Sequence, residues 1–276
     1  MRKTSMSGMV LGLALGVSVA VAPVAGAAGV PGRVTVERTG VAGLGDKEVV
    51  LPCPTGTKLY SAGGWINGAP AGAAVITRVR PGADLSYAVV GARAVDAVTP
   101  WSITAYVVCG EGRPVLVRSA PGFAAQQVDF KAVSASCADV GALTGVFGEV
   151  VDSSGQATLF GLVPSEDLST ATAKGSGPVD GQWSVQAWAV CDSTLIGKTE
   201  RETSAIDPNW SPEATAQCTA GWPLLGGGGT VKGNAPDVVA SLVGLKPDWD
   251  NGSMTAIGAK GASPWSMEAY AICSQP

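Results

Sequence analysis

The nine residues Trp101 to Cys109 (WSITAYVVC) alternate strictly: Trp101, Ile103, Ala105, Val107 and Cys109 fall on one side, Ser102, Thr104, Tyr106 and Val108 on the other. A period of two is the signature of a strand. The same alternation returns in Trp183 to Cys191 (WSVQAWAVC) and in Trp265 to Cys273 (WSMEAYAIC), with the tryptophans 82 positions apart both times. In all three copies the second side begins polar and ends apolar, which predicts a strand buried on both faces as it nears its cysteine. A central strand behaves that way. Upstream in the first copy, apolar stretches at Glu48 to Cys53, Leu59 to Ile66, Ala74 to Arg80 and Ser86 to Val95 are separated by Gly, Pro, Asn and Asp clusters. That spacing predicts about five or six strands per copy.

Counting back from each closing cysteine divides the chain into units at 28–109, 110–191 and 192–276. In each unit the opening cysteine is followed six positions later by leucine (Leu59, Leu143, Leu224) and eleven later by glycine (Gly64, Gly148, Gly229). The second unit departs most, with Ala138-Asp139-Val140 where the first has Pro54-Thr55-Gly56. Charged residues are only 14% of the chain and Gly numbers 38, a balance that suits short strands and tight turns. The expected fold is all-β: three tandem, disulfide-closed, β-sandwich-like repeats. The alternative arrangement is one pseudo-threefold β body, such as a prism, in which units share sheets. A shared Pro-x-x-Asp (Pro81 and Asp84, Pro164 and Asp167, Pro247 and Asp250) reads as a loop-shaping device between two strands.

Six cysteines allow 15 full pairings. The repeat selects one: Cys53–Cys109, Cys137–Cys191 and Cys218–Cys273, at matching places and separations of 56, 54 and 55. Disulfides fit an oxidising compartment. Arg2 and Lys3, the apolar run Met9 to Ala22 and Ala25-Gly26-Ala27 together read as an export signal over residues 1–27. The apolar run is too short to cross a bilayer, so a secreted, extracellular protein without membrane insertion is expected. Removing residues 1–27 takes away Arg2 and Lys3 and no acid, leaving 16 Lys and Arg against 22 Asp and Glu. That balance argues against nucleic acid as a partner.

The chain has no histidine, which excludes imidazole-based triads, HExxH sites and Cys/His zinc sites. The acids Glu149, Asp152, Glu166 and Asp167 are scattered, with nothing to set two of them at a glycosidase's working distance. Gly226 to Gly229 lacks the Gly-Lys-Ser/Thr and the strand-to-helix context of a phosphate loop; it reads as close backbone packing or a bulge. Asp248 to Gly252 opens like a calcium loop, but Ala259 stands where the bidentate glutamate belongs. No enzymatic activity, cofactor or metal is expected.

Trp101, Trp183 and Trp265, with Tyr106, Trp188 and Tyr270, occur in every unit and read as core. Trp65, Trp210, Trp222 and Trp249 have no counterparts, so the common fold does not demand them. Of these, Trp65 beside Asn67 and Trp249 beside Asp250 and Asn251 pair an aromatic ring with amide and carboxylate groups, the equipment for stacking on a sugar face while bonding its hydroxyls. Those five residues form the candidate ligand-binding set. The competing reading is local packing, since a lone tryptophan often covers a junction.

The pattern Cys-Pro-x-Gly, leucine, a glycine pair or run, then Trp-Ser-x-x-Ala-Tyr-x-x-Cys resembles repeated modules of uncharacterised secreted actinobacterial proteins. The likeness covers all three units. It implies a β-rich extracellular module and supplies no catalytic residues. The expected function is a secreted, non-enzymatic binding or interaction protein for an extracellular glycan or protein partner of the cell envelope. A structural surface component and an enzyme inhibitor are the alternatives.

Overall fold

The computed structural model describes residues 21–23, 29–120, 130–152, 155–178, 182–203, 212–233, 241–259 and 265–275. Trp210 lies outside the described residues. Nineteen strands are described: β1 (Val21–Pro23), β2 (Val34–Thr39), β3 (Lys47–Pro52), β4 (Lys58–Asn67), β5 (Ala74–Pro81), β6 (Tyr87–Ala94), β7 (Ser102–Gly110), β8 (Val115–Arg118), β9 (Phe130–Ser136), β10 (Ala142–Asp152), β11 (Thr158–Pro164), β12 (Thr170–Ser176), β13 (Trp183–Asp192), β14 (Gly197–Thr203), β15 (Glu213–Gln217), β16 (Leu224–Gly233), β17 (Ser241–Asp248), β18 (Ser253–Ala259) and β19 (Trp265–Ser274). The protein is all-β. The four apolar stretches read from the first unit coincide with β3 to β6 to within a residue or so at each end.

The strands form three antiparallel sheets: β1-β2-β7-β4-β17-β18-β15, β3-β6-β5-β10-β13-β8 and β14-β19-β16-β11-β12-β9. We call them the first, second and third sheet. Residues 29–110 supply β2-β7-β4 to the first sheet and β3-β6-β5 to the second. The next stretch supplies β8-β13-β10 to the second and β9-β12-β11 to the third, and the last supplies β14-β19-β16 to the third and β15-β18-β17 to the first. The two three-stranded halves of one stretch face each other across a core. A Cβ at Gly64 on β4 would lie 3.1 Å from Val90 on β6, and one at Gly148 on β10 would lie 2.7 Å from Ala173 on β12.

The three stretches thus each contribute strands to two sheets. The units do not keep their sheets to themselves, because the edge strands β4, β5 and β11 hydrogen-bond to β17, β10 and β16 of a neighbour. An unpaired edge backbone is costly or sticky, and joining edges end to end removes the problem. Gly-rich edges let the strands meet. A Cβ at Gly228 would collide with the Leu162 carbonyl across the β11–β16 junction. This is close backbone packing, as the glycine run led us to expect.

Each strand beginning after an opening cysteine carries a bulge: β4 between Leu59 and Ser61, β10 between Leu143 and Gly145, β16 between Leu224 and Gly226. The three bulges meet one another. The Thr144 hydroxyl donates to the Tyr60 carbonyl at 3.2 Å, and a Cβ at Gly226 would overlap the Ser61 hydroxyl. A bulge bends its strand, and here it turns three strands towards a common centre.

The closing strands β7, β13 and β19 lie between two partners in each sheet, and β13 and β19 are buried along their whole length. Cys53–Cys109, Cys137–Cys191 and Cys218–Cys273 are bonded, with Cα–Cα separations of 5.8, 5.7 and 5.8 Å. The first of these ties the end of β3 in the second sheet to β7 in the first, clamping the two layers of one unit. Closing a loop of that length is worth about 4 kcal/mol in the chain-entropy account. Within the stretch read as an export signal, β1 pairs with β2 over Val21–Pro23.

Candidate functional site

Alternation places Glu37 and Thr39 of β2, Tyr106 and Thr104 of β7, and Gly63 and Trp65 of β4 on the face of the first sheet turned away from its core. Cross-strand register sets them in two rows: Glu37, Tyr106 and Gly63 in one; Thr39, Thr104, Trp65 and, on β17, Gly244 in the other. Neighbouring rows on one face are about 7 Å apart.

In the second row Trp65 is half-buried. Gly244 makes room for it, since a Cβ there would lie 3.0 Å from Trp65 Cβ. The Asn67 amide donates to Thr104 Oγ1 at 2.9 Å, and the Thr104 and Thr39 hydroxyls bond at 2.7 Å. Lys246, two residues on from Gly244, holds its ammonium 5.9 Å from the centre of the Trp65 ring. A cation at that distance from an indole face is weakly attracted. The result is a shallow aromatic platform bordered by an amide, hydroxyls and an ammonium.

Trp249 belongs to the turn between β17 and β18 and folds back over the first row. Its indole N–H donates to Glu37 at 3.0 Å, its ring meets Tyr106 edge-on with centroids 5.4 Å apart, and the Arg33 guanidinium sits 5.5 Å from its centre. Gly63 is what admits this stack: a Cβ there would lie 2.6 Å from the Tyr106 hydroxyl oxygen. Beneath Trp249, Tyr106 is fully buried, and burial first, then the Glu37 charge, pushes its hydroxyl well above the usual range. Burial also pulls Arg33 down to about 10.

The five candidate residues thus separate. Trp65 and Asn67 converge on Thr104. Trp249 shares their sheet face but is committed to packing, the competing reading of a lone tryptophan. Asp250 and Asn251 are exposed at the turn, where Asn251 bonds Asp248 through its backbone N–H at 3.1 Å and its amide at 2.7 Å. They shape the turn rather than reach Trp65. Trp222 is partly buried against the core.

In its first two copies the Pro-x-x-Asp motif resolves into turn chemistry. Asp84 accepts from the Ser86 amide and hydroxyl, and Asp167 from the Ser165 hydroxyl and from the Ser169 hydroxyl and amide. These bonds, the Ser165 hydroxyl foremost, hold Asp167 down at about 2. Asp152 is spent likewise on the Gln156 and Ala157 amides.

Thr39, Thr104, Glu37 and Lys246 were not singled out from the sequence. Alternation along WSITAYVVC does put Thr104 and Tyr106 on one side, but the chain gives no local sign that β17 borders β4. Neither a protein-family model nor a curated protein matches the sequence.

Proposed function

We propose that this is an exported, non-enzymatic binding protein whose first sheet recognises a polyhydroxylated glycan of the cell envelope through the Trp65 platform. The observation that carries the reading is the half-buried Trp65 ring on the outer face of the first sheet, edged by Asn67, Thr104, Thr39 and Lys246. A sugar ring offers an apolar face to an indole and hydroxyls around its rim. Asn67 gives its amide hydrogens inward to Thr104, which leaves its carbonyl oxygen as an acceptor for a sugar hydroxyl. The Lys246 ammonium supplies donors on the opposite side. Rigid strands rather than loops carry every one of these groups, so little ordering is needed on binding.

Three disulfides fit an oxidising environment, which supports export. The absence of histidine and the commitment of Asp152 and Asp167 to turns support a role without turnover. The test is a sedimentation assay with purified cell-wall polysaccharide, comparing wild type with Trp65→Ala. Retention lowered about tenfold or more in the variant, with a far-ultraviolet circular-dichroism spectrum like that of wild type, is the expected result. Equal retention of both proteins would refute the platform.

A further inference from the structure

The second sheet carries a cleft at the place where the first sheet carries Trp249. Register makes the correspondence residue by residue. On the first sheet the closing-strand aromatic Tyr106 lies between Gly63 and Glu37; on the second, Trp188 lies between Phe147 and Arg118. Pro247 of β17 pairs with Met254 just as Pro81 of β5 pairs with Ala88, so the turns Pro247-Asp248-Trp249-Asp250 and Pro81-Gly82-Ala83-Asp84 superpose in sequence. The position of Trp249 is thereby occupied by Ala83.

Where the third unit inserts an indole, the first has a methyl group. A cleft of about 570 Å³ opens beside that methyl, lined by Ala83, Arg80, Tyr87, Glu149, Arg118 and Trp188 among others. On the first sheet the ring at this turn position meets the closing-strand aromatic edge-on; on the second, Phe147 stands where Gly63 does, and the space left over Trp188 is the cleft.

The rim, however, is reversed in charge. Trp249 offers an N–H, and Glu37 accepts it. At Glu37's place the second sheet has Arg118, a donor. Its guanidinium lies 5.8 Å from the Trp188 ring centre and donates to the neutral Gln186 at 2.9 Å. Among the described residues it has no carboxylate partner. Glu149, the acid of the cleft, is held between Arg78 at 3.6 Å and Arg80 at 3.7 Å. A ring entering here thus meets a guanidinium donor where Trp249 meets an acceptor, and a charged acceptor pairs with a guanidinium better than a neutral one.

We infer that the cleft over Trp188 is a second binding site, for a ring-shaped ligand bearing a carboxylate that pairs with Arg118. The inference is independent of the Trp65 platform, being on another sheet and selecting another chemistry. Both an aryl carboxylate and a uronic acid present a ring face and a carboxylate. Two probes distinguish them, indole-3-carboxylate and a galacturonic acid trisaccharide.

Isothermal titration of the mature protein with each probe tests it. At least one is expected to bind one-to-one, and the one that does identifies the source. Arg118→Gln is expected to weaken that binding about tenfold or more, and Ala83→Trp to abolish it by refilling the space. No binding of either probe up to about 10 mM, a ceiling weaker than any useful affinity, overturns the inference. So does an Arg118→Gln protein that binds as wild type does. Arg118 is exposed, so this variant remains informative even if Ala83→Trp fails to fold.

Discussion

Trp249 donates its indole N–H to Glu37 across 212 positions of sequence, tying the turn after β17 to β2. With the ring go the edge contact to Tyr106 and the cover of Arg33. Trp249→Ala is expected to destabilise the protein by about 2–4 kcal/mol, the range for truncating a large, partly collapsed site. It should also bring the Tyr106 hydroxyl down towards its ordinary range, because burial is the chief cause of its elevation. Urea unfolding measures the first and ultraviolet titration of tyrosinate the second. A tyrosinate curve identical to wild type would contradict the packing described.

Tyr60 and Asp192 form a second long-range tie. The phenol donates to the Asp192 carboxylate at 2.8 Å, and the carboxylate also accepts from the Thr194 amide and hydroxyl. Asp192 is only 2% exposed, so Tyr60→Phe strips one donor from a buried acid. A loss of about 1–3 kcal/mol is expected in chemical denaturation. A variant as stable as wild type would show that the bond contributes nothing.

The turn at Asp167 gives a pH dependence whose sign follows from its lowered value. A carboxyl held at about 2 in the fold, against an ordinary 3.8, favours the folded turn above the ordinary value. That preference is lost as pH falls from about 4 through about 2. The protection factor of the Ser169 amide, which is its exchange rate corrected for the intrinsic pH dependence of amide exchange, should therefore fall over that interval in wild type and stay constant in Asp167→Asn. A wild-type protection factor flat with pH would contradict the bonding scheme.

Removing the Cys137–Cys191 bond by paired alanine substitution should cost about 4 kcal/mol. Because the sheets cross unit boundaries, the cost should appear as one shifted calorimetric transition. A separate, early transition of one third of the chain would contradict shared sheets.

Local pattern carried much of the fold. Alternation in WSITAYVVC located β7 and its core side, and the leucines and glycines counted from each opening cysteine fall in one register: Leu59, Leu143 and Leu224 face Cys109, Cys191 and Cys273, while Gly64, Gly148 and Gly229 face Ala105, Ala187 and Ala269. The pairing of cysteines followed from the same copying. What stayed hidden depends on contacts between copies. The β4–β17 junction rests on the single register pair Trp65 and Gly244, and two residues so far apart in the sequence leave no periodic trace. Trp65 with Asn67 was legible because both sit on one strand two residues apart. Their partner Lys246 was not, and Trp249 looked available for a ligand because its acceptor Glu37 belongs to another unit.

The recognition face exists only if the first and third units share a sheet, and cross-strand nuclear Overhauser contacts between β4 and β17 test that directly. Backbone contacts between Trp65 and Gly244, with Lys246 side-chain protons shifted by the Trp65 ring, are the predicted result. Contacts confined within 28–109, 110–191 and 192–276 would contradict it and dissolve the site.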